Sequence, residues 1–352
     1  MSRLTREFVN LRGDITTQVS LLHEKYGDIV RVNPNILSFI HPDAWTDIYV
    51  YRPGKLPFIR DPQRYTHELW INGAPDLLTS PEKDHARLRR LMQPAFSEKA
   101  IREQESLVHA NVDLLIQRLQ EQTNNSSPAI VDINKWMNWT TFDVVGDLAF
   151  GETFNCLENG GYHPWVAMIS NSIPRIAFNQ TVSQWPWLYK TWQFLLGPLF
   201  NRAMKRFQSL VIEKVDRRVA RDTQRNDFLK FVLEHKDPGE KMTRDELYSN
   251  AALLIIAGSE TSSMSLSGTI YHLAKNTDLL GPLQKEIRAK YKTEEDITFK
   301  TLTEIPNLLA VLHESMRLYA PQVNMNARVV PKGGAMVAGR WIPENVSLYP
   351  SE

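Results

Sequence analysis

The longest uninterrupted helical pattern in this sequence covers residues 243–275, and it constrains the fold more than any other feature. Thr243 and Glu246 form a T-x-x-E capping box, which predicts that a helix begins there. No proline interrupts the pattern, so at about 1.5 Å per residue the helix would be roughly 50 Å long. Residues 251–257 are apolar on every side and predict a segment that is buried all round. A helix of this length can cross a whole domain.

The apolar run ends in small, hydroxyl and acidic residues, with the sequence A-G-S-E-T-S-S at 257–263. A glycine inside a helix costs about 1 kcal/mol relative to alanine, and a buried carboxylate is costly unless it is paired. Such local conflicts are concentrated at functional sites. Two interpretations remain open. Either the helix reaches the surface near Glu260, or a flat ligand approaches the small residues while Glu260, beside Thr261, relays protons into a dry pocket.

A second pattern lies in a helix that is predicted to begin at Pro306 and to end before Pro321. Glu314 and Arg317 are three residues apart, on one face of this helix, and apolar residues flank them. The alternative interpretation is an ordinary surface ion pair worth roughly 0.2–0.5 kcal/mol. The E-x-x-R string is common, so it gains meaning only beside the long helix.

A third pattern brings cations together on a helix that is predicted to begin at an S-P-E sequence, with serine as N-cap and proline at the first helical position. His85 and Arg89 lie four residues apart on one face, and Arg328 lies in an otherwise apolar strand pattern. Arginine is the preferred partner of carboxylates in partly buried sites. We interpret Arg87 and Arg90 as a solvated basic face.

Composition excludes several classes of protein. The 41 basic and 40 acidic residues leave a net charge of +1 with no basic stripe, which argues against a nucleic-acid partner. A lone cysteine, Cys156, excludes an internal disulfide and a cysteine-based zinc site. No residue is predicted as a metal ligand. No run reaches the roughly 18 apolar residues of a membrane span, and the first ten residues lack the apolar core of a signal peptide. These features predict a cytoplasmic or peripherally membrane-bound chain.

The predicted fold class is mainly α (α+β), a large helical body with small peripheral sheets. Strand patterns at 29–32 and 36–40 predict a hairpin, and short strands return between residues 327 and 349. Helical patterns fill most of residues 80–319. No linker is long enough to separate independent domains, so we expect a single domain over residues 1–352.

These motifs, in this order, resemble those of the cytochrome P-450 family. H-A-R-L-R at 85–89 is similar to the family's W/H-x-x-x-R helix, and A-G-S-E-T-S at 257–262 is similar to its oxygen-activation motif. E-S-M-R at 314–317 is similar to its E-x-x-R. K-Y-G-D-I-V-R-V-N-P-N at 25–35 resembles the first hairpin of microsomal, especially fungal, members. The resemblance runs from about residue 21 to the C-terminus.

The resemblance implies a haem cofactor and a role for each motif. Glu260 and Thr261 would deliver protons to iron-bound dioxygen, and Glu314 with Arg317 would form a structural pair near the proximal side of the haem. The stretch at 185–200 would form the mobile roof over the substrate channel. The remaining implied residues would border the haem face (Ala257 and Gly258) or bind its propionates (His85, Arg89 and Arg328).

The family's haem-ligand cysteine belongs to a loop that this sequence does not contain, and Cys156 lies far upstream of the expected position. The thiolate promotes O–O cleavage, so we expect no thiolate-ligated haem. The N-terminal anchor of microsomal members is absent too, so the chain is expected to be truncated at both ends. Three explanations remain open: a truncated product or gene model, an inactive remnant, or a scaffold that binds a hydrophobic ligand without redox chemistry.

The function implied by the resemblance is monooxygenation, the hydroxylation or epoxidation of a hydrophobic small molecule in fungal secondary metabolism. An NADPH-dependent reductase would be the partner, and the surface of the endoplasmic reticulum would be the location. Whether this chain is an enzyme stays open, because the axial cysteine is absent.

Overall fold

Helices dominate the computed structural model, which describes residues 2–50, 53–54, 56–61, 70–125, 130–221, 225–233, 241–322 and 327–350. The mainly α prediction is confirmed. The α-helices are α1 (Arg3–Leu11), α2 (Ile15–Tyr26), α3 (Pro42–Tyr49), α4 (Glu82–Met92), α5 (Glu98–Asn125), α6 (Ile133–Phe150), α7 (Cys156–Asn159), α8 (Pro164–Ser183), α9 (Pro186–Ala220), α10 (Phe228–Leu233), α11 (Arg244–Lys275), α12 (Thr277–Lys290), α13 (Phe299–Leu302) and α14 (Pro306–Leu318).

Seven short strands accompany these helices within the described residues. They are β1 (Ile29–Asn33), β2 (Ile36–Phe39), β3 (Ile59–Arg60), β4 (Arg328–Val329), β5 (Ala335–Val337), β6 (Arg340–Ile342) and β7 (Ser347–Pro350). The predicted hairpin at 29–40 is confirmed, and so are short strands between residues 327 and 349.

The chain divides into two compact units, each built from separate stretches of sequence. The first comprises Met1–Thr66, Asn171–Phe200 and Gln322–Glu352, and the second comprises His67–Ser170 and Asn201–Pro321. The single domain expected from the sequence stays a prediction.

The first unit contains the five-stranded sheet, in the order β1-β2-β7-β4-β3. β1 and β2 form the antiparallel hairpin, and β7 pairs with β2 in parallel, with Ile36 opposite Ser347. Phe39 and Leu348 are fully buried beneath α3. β5 and β6 form a separate hairpin. The sheet therefore fixes β4, which carries Arg328.

The second unit has its core where α6 and α11 pack along each other. The predicted capping box is confirmed: the Thr243 hydroxyl accepts from the Glu246 N–H at 3.2 Å, and Glu246 Oε2 accepts from the Thr243 N–H at 2.8 Å. Phe142 of α6 and Ile255 of α11 are fully buried. Across the described residues, no helix is both long and apolar enough to cross a membrane.

Candidate active site

The middle of α11 changes its exposure where the sequence pattern breaks. Ile255 is fully buried, but Ala257 is exposed, so the prediction that residues 251–257 are buried all round is wrong at its end. Ser259 and Ser263 continue the buried stripe at intervals of four residues. Because these side chains are small, α11 packs closely on this face and leaves the Ala257 face open.

Glu260 is half-buried and is held from α6. The side-chain amide of Asn138 donates to Glu260 Oε2 at 3.2 Å, and Asn138 is only 7% exposed. Glu260 also acts on Tyr162, because burial and then the charges of Glu260 and Asp132 raise the pKa of the Tyr162 phenol. The carboxylate therefore lies in a partly dry, polar setting rather than in open water.

Thr261 lies next to Glu260 and is half-buried as well. Its hydroxyl donates to the Ala257 carbonyl within the helix at 2.7 Å. A hydroxyl also has two acceptor lone pairs, so it can accept a proton at Oγ1 while it gives up its own. An acid beside such an alcohol is suited to relaying protons.

The packing of α11 against α6 explains why residue 258 is a glycine, which the sequence pattern did not reveal. A Cβ added at Gly258 would lie 3.0 Å from Val145 Cγ2 of α6. The glycine therefore allows the two helices to approach closely, whatever its relation to a ligand. Its predicted place at the haem face stays a prediction, and the exposed Ala257 is the small residue on the open side.

The cations of α4 divide into two groups. His85 is half-buried and Arg89 is exposed, and Arg89 forms no ion pair with any described residue. Arg87 is not solvated as predicted, because its guanidinium pairs with Glu246 in the capping box of α11. Burial alone would raise the pKa of Glu246, but hydrogen bonds from Arg87 and from the Thr243 N–H lower it below the usual value.

The predicted N-cap of α4 is also wrong by one residue. Pro81 occupies the N-cap position, and the Ser80 hydroxyl donates instead to the Leu77 carbonyl at 3.5 Å. The preceding loop is organised by Asp76, whose Oδ1 accepts the backbone N–H groups of Leu78 and Thr79. The turn therefore begins before the serine.

Arg328 of β4 carries a buried nitrogen, Nη1, that has no hydrogen-bond partner in the part of the chain that the structure describes. The guanidinium carbon lies 5.4 Å from the centroid of the Tyr49 ring. Buried donors are nearly always paired in folded proteins, and an exception calls for an explanation. An anionic ligand group would satisfy this nitrogen.

Glu314 and Arg317 form the predicted pair on α14. Arg317 donates from Nε and Nη2 to the two carboxylate oxygens, at 2.8 and 2.6 Å. The side chains are 55% and 68% exposed. The hydrogen bonds from Arg317 lower the pKa of Glu314. The pair lies on an open face of α14, and its structural role near a haem stays a prediction.

Cys156 is fully buried at the start of α7. Its backbone N–H donates to Asp143 Oδ1 at 3.0 Å. Burial raises the pKa of its thiol to about 12. Cys156 is therefore a thiol at neutral pH, enclosed by the core, and it is unsuited to act as a thiolate ligand.

Sequence reasoning missed two residues beside Glu260, which are Asn138 and Tyr162. A signal was available for the first, because Asn138 stands between aromatic residues in the W-M-N-W run of a helix that is otherwise strongly apolar. A polar side chain in such a helix is expected to have a specific partner. Nothing in the sequence identifies Glu260 as that partner, since the two residues are 122 positions apart.

Comparisons with known proteins agree on one family. A family model described as "Cytochrome P450" matches residues 6–351. The chain is 40% identical to the cytochrome P450 monooxygenase astJ of Aspergillus oryzae, covering 96% of this chain and 67% of that protein. It is 38% identical to an averantin hydroxylase of Aspergillus parasiticus, again over 96% and 67%. The chain thus spans about two thirds of the length of these relatives.

A solved structure has the same fold. The crystal structure of the cytochrome P450DA heme domain superposes with a TM-score of 0.77, covering 95% of this chain and 71% of that one. The sequences are 15% identical, so this likeness concerns the fold alone.

Proposed function

Because the chain belongs to the cytochrome P450 family, we propose that it forms the oxygen-activating helical core of a fungal monooxygenase. The reaction is the hydroxylation or epoxidation of a hydrophobic small molecule in secondary metabolism. The observation that carries this proposal is the half-buried acid and alcohol, Glu260 and Thr261, side by side on α11. The averantin hydroxylase of Aspergillus parasiticus, a similar protein, is named for a hydroxylation, which supports this class of reaction.

The family and the fold imply haem, and several side chains fit it. Arg328 has a buried nitrogen without a partner among the described residues and would bind a propionate. The resemblance gives the same role to His85 and to Arg89, which forms no ion pair with any described residue. Ala257 presents a small, exposed side chain against which a flat ring can lie. When bound, haem iron supplies the activation of dioxygen. Glu314 and Arg317 would be a structural pair near the proximal side of the haem, as the resemblance implies.

The protein's own contribution is the movement of protons. Glu260 passes a proton from solvent toward Thr261, and Thr261 Oγ1 accepts a proton while its own hydroxyl proton moves on into the pocket. Solvent then restores the proton on Glu260. This role is supported by the partial burial of both side chains and by the hydrogen bond that Glu260 accepts from Asn138.

The exposed apolar side chains of α9 indicate where the chain would contact a membrane. Trp187, Phe194 and Leu195 of α9 are strongly exposed, and no acidic residue occurs between Glu158 and Glu213. Exposed aromatic side chains within an acid-free stretch favour contact with a membrane surface. We propose that the chain lies at the surface of the endoplasmic reticulum and receives electrons from an NADPH-dependent reductase.

A second candidate function is a scaffold that binds a hydrophobic ligand without redox chemistry. The observation that favours it is the exposed, small side chain of Ala257 on the open face of α11, against which a flat apolar ligand other than haem can also lie. Under this alternative a lipophilic probe binds with equal affinity with and without haem.

The test is a haem titration of the purified chain, followed by the spectrum of its reduced, carbon-monoxide-bound form. We expect saturable haem binding that R328M weakens, and no thiolate-type Soret band, because Cys156 is excluded as a ligand. A thiolate band that disappears in C156S would contradict the assignment of Cys156. The absence of saturable haem binding would leave the scaffold as the function of this chain.

A further inference from the structure

The helix behind Glu260 contributes one side chain to the acid. Asn138 lies on α6, one turn of helix before Phe142, and its Nδ2 donates to Glu260 Oε2 at 3.2 Å. Hydrogen bonds are directional, and they weaken steeply when donor and acceptor are misaligned. The contact therefore restricts the orientation of the Glu260 carboxyl group.

The oxygen of the same Asn138 side-chain amide has an unusual environment. Asn138 Oδ1 is buried and accepts no hydrogen bond from the described residues. A buried acceptor without a partner costs roughly 1–3 kcal/mol. Rotating the amide would not help, because it would place this oxygen against the carboxylate of Glu260. An aliphatic side chain of the same volume would avoid the cost, so packing alone does not account for an asparagine here.

Tyr162 is the partly exposed residue near the Asn138–Glu260 hydrogen bond. Its ring packs edge-on against Trp139, with centroids 6.0 Å apart, and Trp139 follows Asn138 in the chain. Tyr162 is 42% exposed, and the charge of Glu260 contributes to the raised pKa of its phenol. The acid is therefore close enough to a partly exposed phenol to interact with it, while Asn138 holds the acid from within.

We propose that Asn138 is a positioning residue, which holds the Glu260 carboxyl in the orientation that passes a proton to Thr261. This inference rests on the proposed function. Because adjacent side chains of a helix do not face each other, the proton passes through solvent: the O–H bond of the Glu260 carboxyl breaks as an O–H bond forms at a water molecule, and that water gives one of its own protons to Thr261 Oγ1. The original hydroxyl proton of Thr261 leaves toward the pocket, and a solvent proton restores Glu260. Asn138 gives up no proton itself.

The pairing is tested on the haem-free chain by exchanging donor and acceptor. N138D replaces the amide donor with a second carboxylate and should lower the thermal midpoint by roughly 3–5 °C. In an E260Q background the new side-chain amide at position 260 can donate to the new carboxylate. In the E260Q background, N138D should therefore lower the thermal midpoint by less than about 1 °C. An equal loss in both backgrounds would overturn the pairing.

T140V is the matched control for these variants. Thr140 is buried on the same helix, and its hydroxyl donates to the Trp136 carbonyl at 2.8 Å, within α6. Its effect should be the same with and without E260Q, because it makes no contact with the acid.

A second readout separates positioning from a merely structural role. In the haem-loaded chain with an NADPH-dependent reductase, N138L should raise the solvent deuterium isotope effect on NADPH-driven oxygen consumption, because proton delivery becomes slower. T140V should leave the isotope effect unchanged. An unchanged isotope effect in N138L would overturn the positioning role. If the parent chain shows no haem chemistry, the proposed function fails, while the exchange of donor and acceptor still decides whether Asn138 holds Glu260.

Discussion

Gly258 of α11 lies so close to Val145 of α6 that an added Cβ would be 3.0 Å from Val145 Cγ2. On the same side of α11, Glu260 lies within hydrogen-bond distance of Asn138, which α6 also carries. Gly258 therefore allows close packing of α11 on α6 in the haem-free chain, in addition to any contact that it makes with a ligand.

The first prediction concerns this contact. G258A should lower the thermal midpoint by roughly 2–4 °C, because overpacking outweighs the gain of about 1 kcal/mol in helix propensity. In a V145A background the same substitution should raise the midpoint, since the space has been opened. G281A is the control, because an added Cβ at this position of α12 meets nothing within 4 Å. A loss of the same size in both backgrounds would contradict the contact.

The second prediction concerns Asp143, which organises the chain after α6. Its Oδ1 accepts the N–H groups of Phe154 and Cys156 at 3.0 Å, and its Oδ2 accepts that of Leu157 at 2.8 Å. D143N would place an amide NH2 against one of these donors. We expect a loss of about 2–3 kcal/mol in the free energy of unfolding, measured by urea denaturation.

D132N is the control for this loss. Asp132 is an exposed N-cap of α6 that accepts one backbone N–H, from Lys135, at 3.4 Å. D132N should lower the free energy of unfolding by only a few tenths of a kcal/mol, about the difference between good N-cap residues. An equally small loss for D143N would show that the three hydrogen bonds to Asp143 contribute little.

The third prediction concerns the pH dependence of the Arg87–Glu246 pair. The folded pKa of Glu246 is lowered from its usual 4.5, so the pair contributes stability that is present above pH 4.5 and is lost as the pH falls through the folded pKa. R87M should lower the thermal midpoint at pH 7, and the difference from the parent should shrink below pH 4.5. R102M, which breaks an exposed pair with Glu98 on α5, should have little effect at either pH. A difference that is constant with pH would contradict the lowered pKa.

The fourth prediction concerns Arg328. Because its Nη1 is buried without a partner among the described residues, R328M should raise the thermal midpoint of the haem-free chain while weakening haem binding by on the order of tenfold. R340M, which removes an exposed arginine of β6, should change neither quantity. A variant that destabilises the haem-free chain and binds haem normally would mean that Arg328 serves the fold rather than a ligand.

The sequence predicted those elements whose signals are local. The capping box at Thr243 and the hairpin at 29–40 depend on neighbouring residues, and the structure contains both. The pair Glu314–Arg317 was equally accessible, because i and i+3 residues always share a helix face.

Features that depend on distant residues were not predictable in this way. Arg87 was interpreted as solvated because its partner, Glu246, lies 159 positions away. The exposure of Ala257 and the contact of Gly258 with Val145 depend on which helix packs against which face of α11. Periodicity indicates that a face is buried but does not identify its partner.

We propose that the face of α11 that carries Glu260 and Thr261 borders bound haem. A crystal structure of the haem-loaded chain tests this claim most directly. We expect the haem ring to contact Ala257 and the Thr261 hydroxyl to lie at the edge of the same pocket, with Glu260 still hydrogen-bonded to Asn138. A haem bound elsewhere on the chain, with Glu260 and Thr261 facing bulk water, would contradict it.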